Sequence, residues 1–240
     1  MSLAILKGMR TIVKEKRQAL LGYSNAKTVH GVELGYLTCI LYLDPKSNRA
    51  KLCPYSSDAC FDACLVSAGR GVMTPVKVAR EQKTANFFAN RKAFIAQLKE
   101  EIAYYSRRAE RKGLKLAVRL NGTSDILWEK LSDIIQSFPE IQFYDYTKVP
   151  LQYRGKLSNY HLTFSYSGTN WQDCENAIAQ GVNVAVVFSG ELPTTYRGRK
   201  VIDGTVHDVR FLDKQGVIVG LCTKGNHAKK LKSDFIVSDY

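Results

Sequence analysis

The sequence lacks any apolar run long enough to cross a membrane. Its longest apolar stretches, such as residues 40–43 and 182–188, are far shorter than the ~18 residues that a spanning helix needs. Lys7 and Arg10 follow directly after the apolar residues 3–6, and no small-residue cleavage site comes after them. These absences argue against a membrane protein and predict a protein of the cytoplasm.

The signatures of several enzyme and nucleic-acid-binding classes are also missing. The chain contains no Gly-x-Ser-x-Gly segment, no phosphate-binding loop and no dinucleotide-binding glycine pattern. Zinc-finger spacing, RNA-recognition signatures and helix-turn-helix patterns are absent too. Without linkers, low-complexity tracts or internal repeats, residues 1–240 are expected to form a single domain, which at this length can bury a sizeable core.

The chain is strongly basic. Its 35 Lys and Arg residues stand against 22 Asp and Glu residues, which gives a formal net charge of +13. Basic residues concentrate at 14–17, 107–115 and 224–232. An excess of this size makes nucleic acid a candidate partner, although a solvated, solubilising surface has the same composition. A nucleic-acid-associated protein is therefore one hypothesis.

Apolar periodicity predicts alternating strands and helices. The predicted strands are residues 36–43, 116–120, 142–146, 160–166, 183–188 and 216–221. The predicted helices are residues 75–90, 92–112, 126–138 and 171–180. This order favours a parallel sheet with right-handed crossovers, either open or curled. We expect the curled form, a partial (β/α)6 TIM-like barrel, with residues 1–30 as an N-terminal extension and residues 192–214 as an irregular excursion or short hairpin.

Three of the six cysteines fall in one short window. Cys53, Cys60 and Cys64 follow the first predicted strand with the spacing Cys-x6-Cys-x3-Cys. Ser57 or Asp58 can cap a short helix that points the last two thiols to one side. Thiolates that converge in this way are the ligands of iron–sulfur clusters. Two alternatives remain, namely a zinc site, although a second short knuckle and a histidine are missing, and buried cysteines without metal.

A cubane (4Fe-4S) cluster would leave one iron without a ligand from this window. Cys222 is the first candidate, because it follows the last predicted strand on the same rim of the barrel. Cys174, in the first turn of a predicted helix, is the second, whereas Cys39 lies inside a strand, where buried non-ligand cysteines are commoner. A saturated cluster would serve electron transfer or structural support, and an open iron could bind and activate a small molecule.

Polar residues at strand exits are further candidates for ligand binding. They are Asn121, Ser124, Asp125, Asp145 and Lys148. In the functional interpretation, Asp145 and Lys148 form a charged pair at the rim. In the structural interpretation, Asp125 is the N-cap of the helix at 126–138, and Asp145 pairs with Arg119 inside the barrel.

Residues 53–71, 118–125 and 143–148 resemble a family of phage-encoded viral iron–sulfur proteins, and residues 160–165 and 183–188 extend the match. The resemblance covers the chain from about residue 24 onward. It implies a phage gene product that acts in the cytoplasm of an infected bacterial host.

More distantly, strand-helix units with a three-cysteine loop after the first strand are similar to the partial barrel of radical S-adenosylmethionine enzymes. Those enzymes carry Cys-x3-Cys-x2-Cys and a Gly-Gly-Glu segment, where this chain has a wider cysteine spacing and residues 121–123 read Asn-Gly-Thr. The first hypothesis is thus a redox or electron-transfer iron–sulfur protein with a redox partner or small molecule. The others are an enzyme with an open cluster iron, with S-adenosylmethionine as its cofactor, and a nucleic-acid-associated protein with a structural cluster.

Overall fold

The computed structural model describes residues 17–23, 26–224, 231 and 233–238, which form a mixed α/β domain around one sheet. Its strands within these residues are β1 (Leu21–Gly22), β2 (Tyr36–Leu41), β3 (Lys115–Arg119), β4 (Gln142–Thr147), β5 (Tyr160–Ser165), β6 (Val184–Phe188), β7 (Thr195–Tyr196), β8 (Arg199–Asp203), β9 (Ile218–Cys222) and β10 (Ile236–Val237). Its α-helices there are α1 (Ala26–Glu33), α2 (Asp58–Asp62), α3 (Thr74–Ala89), α4 (Arg91–Glu110), α5 (Trp128–Leu131) and α6 (Trp171–Ala179).

The sheet is mostly parallel. Its strand order is β1-β2-β3-β4-β5-β6-β9-β8-β7, and β10 pairs with β6. Only β1 with β2 and β7 with β8 pair antiparallel among the described strands. Parallel pairing brings the carboxyl ends of the central strands to one edge of the sheet. The six predicted strands are all confirmed, with ends that shift by no more than two residues.

Helices cover one face of this sheet. Leu37, Cys39 and Leu41 of β2 join residues of α3 and α4 in an apolar cluster, and a second cluster joins α6 to β5, β6 and β9. Because side chains alternate along a strand, Thr38 and Ile40 of β2 point to the opposite face. The sheet therefore has one apolar face and one face that is available for polar side chains.

The helix α4 shows how the sequence specifies this layer. Phe94, Leu98, Ile102 and Tyr105 recur at helical spacing, and all are buried against the sheet. Asn90 caps the helix, since its side chain accepts a hydrogen bond from the backbone of Ala93 at 3.0 Å. The predicted helix is thus confirmed in position and in packing.

The other face is crossed by residues 204–213, which connect β8 to β9. Phe211 packs edge-on against Tyr36 of β2 and Tyr144 of β4, with ring centroids 4.9 and 5.6 Å apart. Asp208 accepts a hydrogen bond from Arg119 of β3 at 3.0 Å. The connection from one end of the sheet thus packs on strands of the other end, although no described strand pair closes the sheet into a barrel.

The helix predicted at 126–138 is wrong in length. Only α5 forms, and turns follow it. The helix ends because Ser132 has an extended backbone, with φ −159° and ψ 167°, and the Asn159 side chain then donates to the carbonyls of Ile135, Phe138 and Ile141 at 3.0–3.2 Å. These carbonyls are thereby satisfied without a helix.

Two segments that were expected to be peripheral contribute strands. In the region 192–214, the hairpin is confirmed, and its turn places Arg197 and Gly198 at positive φ. The region is not irregular throughout, since β8 also pairs with β9. Within the expected N-terminal extension, β1 pairs with β2, whereas residues 1–16, 24 and 25 lie outside the described residues. No helix among the described residues is long and apolar enough to cross a membrane.

Candidate metal centre

The cysteine segment lies at the carboxyl edge of the sheet, between β2 and α3. Ser57 is the N-cap of α2, and its hydroxyl accepts a hydrogen bond from the backbone of Cys60 at 3.1 Å. The same hydroxyl donates to the carbonyl of Ser167, beyond β5, at 2.5 Å. The predicted cap is therefore confirmed, and it also anchors the short helix to the edge of the sheet.

All three thiols of this segment line one cavity of about 400 Å³. Cys53 contacts the carbonyl of Thr123 through its Sγ at 3.7 Å. Burial raises the pKa of Cys53 to about 12, and the charges of Cys64 and Cys60 add to this shift. Burial also raises the pKa of Cys64, again with a contribution from Cys60. The three cysteines thus share one cavity, and Cys60 contributes to the raised pKa of the other two.

Lys148 brings a positive charge to these sulfurs. Burial by itself would lower the pKa of Lys148, but the charges of Cys60 and Asp125 outweigh it and raise the pKa. A hydrogen bond to the side chain of Cys60 contributes to the same shift. An ammonium group in this place favours the thiolate form of a neighbouring cysteine, which is the form that binds metals.

Asp125 connects the site to a buried ion-pair network. Its carboxylate accepts a hydrogen bond from the backbone of Lys148 at 2.7 Å and lies 3.5 Å from Nη1 of Arg154. Arg154 in turn pairs with Glu129, with 3.0 Å between Nε and Oε1. The prediction that Asp125 is a helix N-cap is wrong, because Leu127 has that position in α5 and the carboxylate turns to Arg154 instead.

Asn121 and Ser124 shape the loop that follows β3. Asn121 accepts three hydrogen bonds through Oδ1, from Ser124 Oγ, the backbone of Ile126 and Trp128 Nε1, at 2.9, 2.9 and 3.2 Å. Both residues line the cavity, yet these groups already have partners within the protein. Their role in ligand binding stays a prediction, and their structural role is plain.

Asp145 pairs with Arg119, as its structural interpretation predicted. The carboxylate lies 4.0 Å from Nε of Arg119 and accepts hydrogen bonds from the backbone of Asn121 at 2.7 Å and the hydroxyl of Tyr160 at 2.8 Å. Burial raises the pKa of Asp145 to about 7, while Arg119 opposes the shift. The expected pair of Asp145 with Lys148 is absent from the described contacts, since Lys148 turns to the cysteines.

Cys222 lines the same cavity in a different electrostatic environment. Its Sγ contacts the carbonyl of Gly190 at 3.8 Å. Burial and then Asp203 raise the pKa of Cys222, and Lys27 opposes them. The other two cysteines, Cys39 and Cys174, are fully buried within the apolar clusters.

The cysteines of the cavity meet the ligand requirements of some metal centres and not of others. Among the described residues, no three His, Cys, Asp or Glu side chains are placed to hold a single metal ion. Structural zinc needs four ligands around one point, and these residues do not offer them. A cluster makes another demand, because each thiolate binds a different iron. The cavity thus offers three cysteines beside an ammonium group, and no histidine is among the described residues that line it.

Sequence reasoning did not bring together Lys27, Arg119, Tyr146 and Lys224, which line the same cavity. A signal was present in part, since Arg119 stands between the apolar core residues Val118 and Leu120 at the end of β3. Of the basic region at 224–232, residues 225–230 and 232 lie outside the described part of the chain, as do residues 14–16 of the first basic region.

Comparison with known proteins identifies a family. A family model described as gene product 88 matches residues 12–238. No curated protein and no solved structure matches the chain. The description of the family names neither a cofactor nor an activity.

Proposed function

Since the chain belongs to the gene product 88 family, a family of phage type, we propose that it is a phage-encoded iron–sulfur protein with a redox function. One observation carries the proposal, namely that the thiols of Cys53, Cys60 and Cys64 line a single cavity together with the ammonium group of Lys148. A 4Fe-4S cluster bound there would supply one-electron chemistry. The protein would act in the cytoplasm of the infected host.

The chain's own residues have three tasks at such a site. The thiols lose their protons on binding metal, and this release has to overcome the raised pKa of Cys53. Lys148 offsets part of the negative charge that then collects on the sulfurs. The hydroxyl of Ser57 holds α2, and with it Cys60, against the edge of the sheet.

We further propose that the sheet curls as a partial barrel around the cavity. The support is the packing of Phe211 on Tyr36 and Tyr144, and the ion pair of Asp208 with Arg119. These contacts bring the connection after β8 onto β2, β3 and β4. The carboxyl ends of the strands would then surround the cysteine segment, as they surround the active sites of barrel enzymes.

A second candidate function is an enzyme with an open cluster iron. The observation that favours it is the position of Cys222, whose thiol contacts the Gly190 carbonyl and whose pKa responds to Asp203 and Lys27. On this proposal, the fourth iron is left to a small molecule that enters the cavity, and S-adenosylmethionine is one molecule to test there.

The decisive experiment is anaerobic purification followed by iron and sulfide analysis and electron paramagnetic resonance. We expect brown protein with about four irons per chain. Cys53→Ser, Cys60→Ser and Cys64→Ser should each lose most of the iron. Cys39→Ser and Cys174→Ser are the matched controls and should keep it, because both thiols are buried in the apolar clusters. Colourless protein, or equal loss in the controls, would reject the proposal.

Cys222→Ser separates the two candidate functions. With an open iron, the variant keeps its cluster and its spectrum, and S-adenosylmethionine or another small ligand perturbs the spectrum of the reduced wild type. With a saturated cluster, the variant loses iron or changes its spectrum, and added nucleoside has no effect. The hypothesis of nucleic-acid association rests on charge alone, and binding of DNA or RNA that weakens steeply with salt would support it.

A further inference from the structure

The side of the cavity away from the cysteine segment carries a separate group of charges. Lys27, Arg119, Lys224 and Asp208 all line it. The charged groups that perturb Lys27 most are Asp208, Lys224, Arg210 and Arg119, none of which belongs to the cysteine segment. We call Lys27, Arg119, Lys224 and Asp208 the cationic end of the cavity. Three cations and one carboxylate leave it with two excess positive charges.

Lys27, a member of this end, has hydrogen-bonding capacity to spare. Its Nζ donates to the carbonyl of Gly204 at 2.6 Å, the one hydrogen bond that the described residues give it. An ammonium group has three donors, so two remain for a ligand. Burial lowers the pKa of Lys27 to about 8, which still leaves the side chain charged at neutral pH.

Tyr146 adds an unsatisfied hydroxyl to the same wall. Its ring stacks under the guanidinium of Arg119, 4.5 Å from the centroid, and lines the cavity. Its hydroxyl is buried, yet it has no hydrogen-bond partner among the described residues. A buried hydroxyl without a partner is costly, which favours a ligand that can reach it.

The cavity also has an apolar part. It includes the side chains of Val187, Leu221 and Ile236. A ligand that matches the whole cavity therefore carries an apolar body and a negatively charged group.

We propose that the cavity binds a small organic anion, with its carboxylate or phosphate group at Lys27 and Tyr146 and its apolar body against Val187 and Leu221. The inference rests on the proposed function only in taking the cavity as a ligand site, because the thiols and Lys148 take no part in it. A compact anion of this kind fits a volume of about 400 Å³, which a nucleic-acid duplex does not.

The test is isothermal titration of the full chain with phenyl phosphate, benzoate and inorganic phosphate. Phenyl phosphate should bind at least about tenfold more tightly than inorganic phosphate, since burial of roughly 60 Å² of ring corresponds to that factor. Lys27→Met should weaken binding by about tenfold or more, and Tyr146→Phe by about fivefold. Lys77→Met, which removes an exposed lysine from α3, is the charge-matched control and should change binding by less than about twofold.

Circular dichroism checks that each variant is folded. If Lys27→Met does not fold, Lys27→Arg and Tyr146→Phe carry the test, and the first should keep binding while the second weakens it. Equal weakening by Lys27→Met and Lys77→Met would overturn the inference. So would binding of an oligonucleotide without binding of phenyl phosphate.

The failure of this inference differs visibly from failure of the proposed function. A protein with all three cysteines replaced by serine should still bind phenyl phosphate through Lys27, although it holds no iron. Iron-loaded wild type that binds neither phenyl phosphate nor benzoate would refute the anion site and leave the cluster standing. Iron-free wild type that binds phenyl phosphate would refute the cluster and leave the anion site standing.

Discussion

Replacement of Arg154 should destabilise the protein more than any surface charge does. Its side chain is only 2% exposed and pairs with the carboxylates of Asp125 and Glu129, which are 6% and 1% exposed. It also donates to the hydroxyl of Tyr160 at 2.8 Å. Arg154→Met would leave two buried carboxylates without their cation.

The magnitude follows from this burial. Removing one partner of a buried ion pair costs about 3–5 kcal/mol, because the remaining charge is neither solvated nor neutralised. The exposed pair of Lys99 with Asp133 is a useful contrast. It has a shorter separation, 2.8 Å, but its side chains are 30% and 71% exposed. Lys99→Met should therefore change the free energy of unfolding little, because water and salt screen both charges.

Urea unfolding, followed by circular dichroism, measures both variants. With a slope of about 2 kcal/mol per molar urea, Arg154→Met should lower the midpoint by roughly 2 M. Adding Glu129→Gln should recover part of the loss, since one buried charge is removed. A cost for Arg154→Met no larger than that of Lys99→Met would refute the reasoning that burial makes this network matter.

Three further outcomes are expected. Gly122→Ala should lower the free energy of unfolding by about 1–3 kcal/mol in the same assay, because an added Cβ would lie 2.6 Å from the carbonyl oxygen of Leu41. Gly22→Ala should be tolerated, since its Cβ would lie 3.9 Å from the nearest atom, the carbonyl oxygen of Ile40, and equal costs for the two variants would contradict this. Tyr146→Phe should leave the free energy of unfolding unchanged or raise it by about 1 kcal/mol, because the Tyr146 hydroxyl has no hydrogen-bond partner among the described residues, while Tyr160→Phe, which loses bonds to Asp145 and Arg154, should lower it by about 1–3 kcal/mol. The opposite order would be evidence that the Tyr146 hydroxyl does have a partner. In the metal-free protein, a pKa of about 12 leaves Cys53 roughly a thousandfold less thiolate at pH 8 than an ordinary cysteine has. Its alkylation by iodoacetamide, followed by mass spectrometry of the peptide, should therefore become about tenfold faster per pH unit up to pH 10. If folded protein at pH 8 is alkylated as fast as urea-unfolded protein, the raised pKa is disproved.

The central strands could be predicted because burial on a helix-covered face leaves a strong apolar signal. Residues 184–188 read Val-Ala-Val-Val-Phe, and such a short apolar run is typical of a buried parallel strand. The pairing of β8 with β9 escaped prediction because three of the five residues of β8 are charged and it lies near an edge of the sheet. The helix expected at 126–138 is cut short at Ser132, where the backbone is extended, and Asn159, which is distant in sequence, satisfies carbonyls that follow the break.

The candidate site also has local features that the sequence predicts and tertiary contacts that it does not. The cysteine segment and its Ser57 cap could be predicted because ligand spacing and capping are local properties of the chain. The partner of Asp125 is Arg154, and that choice depends on tertiary packing. Lys27 and Arg119 line one cavity only because α1 packs on β2 and β2 pairs with β3, and no local pattern connects them.

The bond between Arg119 and Asp208 spans 89 residues of chain. Loops of that length are slow to close, and contacts of high sequence separation form late in folding. During synthesis, β2 to β5 emerge before the segment that covers their polar side, so Arg119 stays hydrated until Asp208 has left the ribosome. The pocket should consequently be among the last parts of the nascent chain to take shape, and whatever occupies it arrives after translation of residue 208.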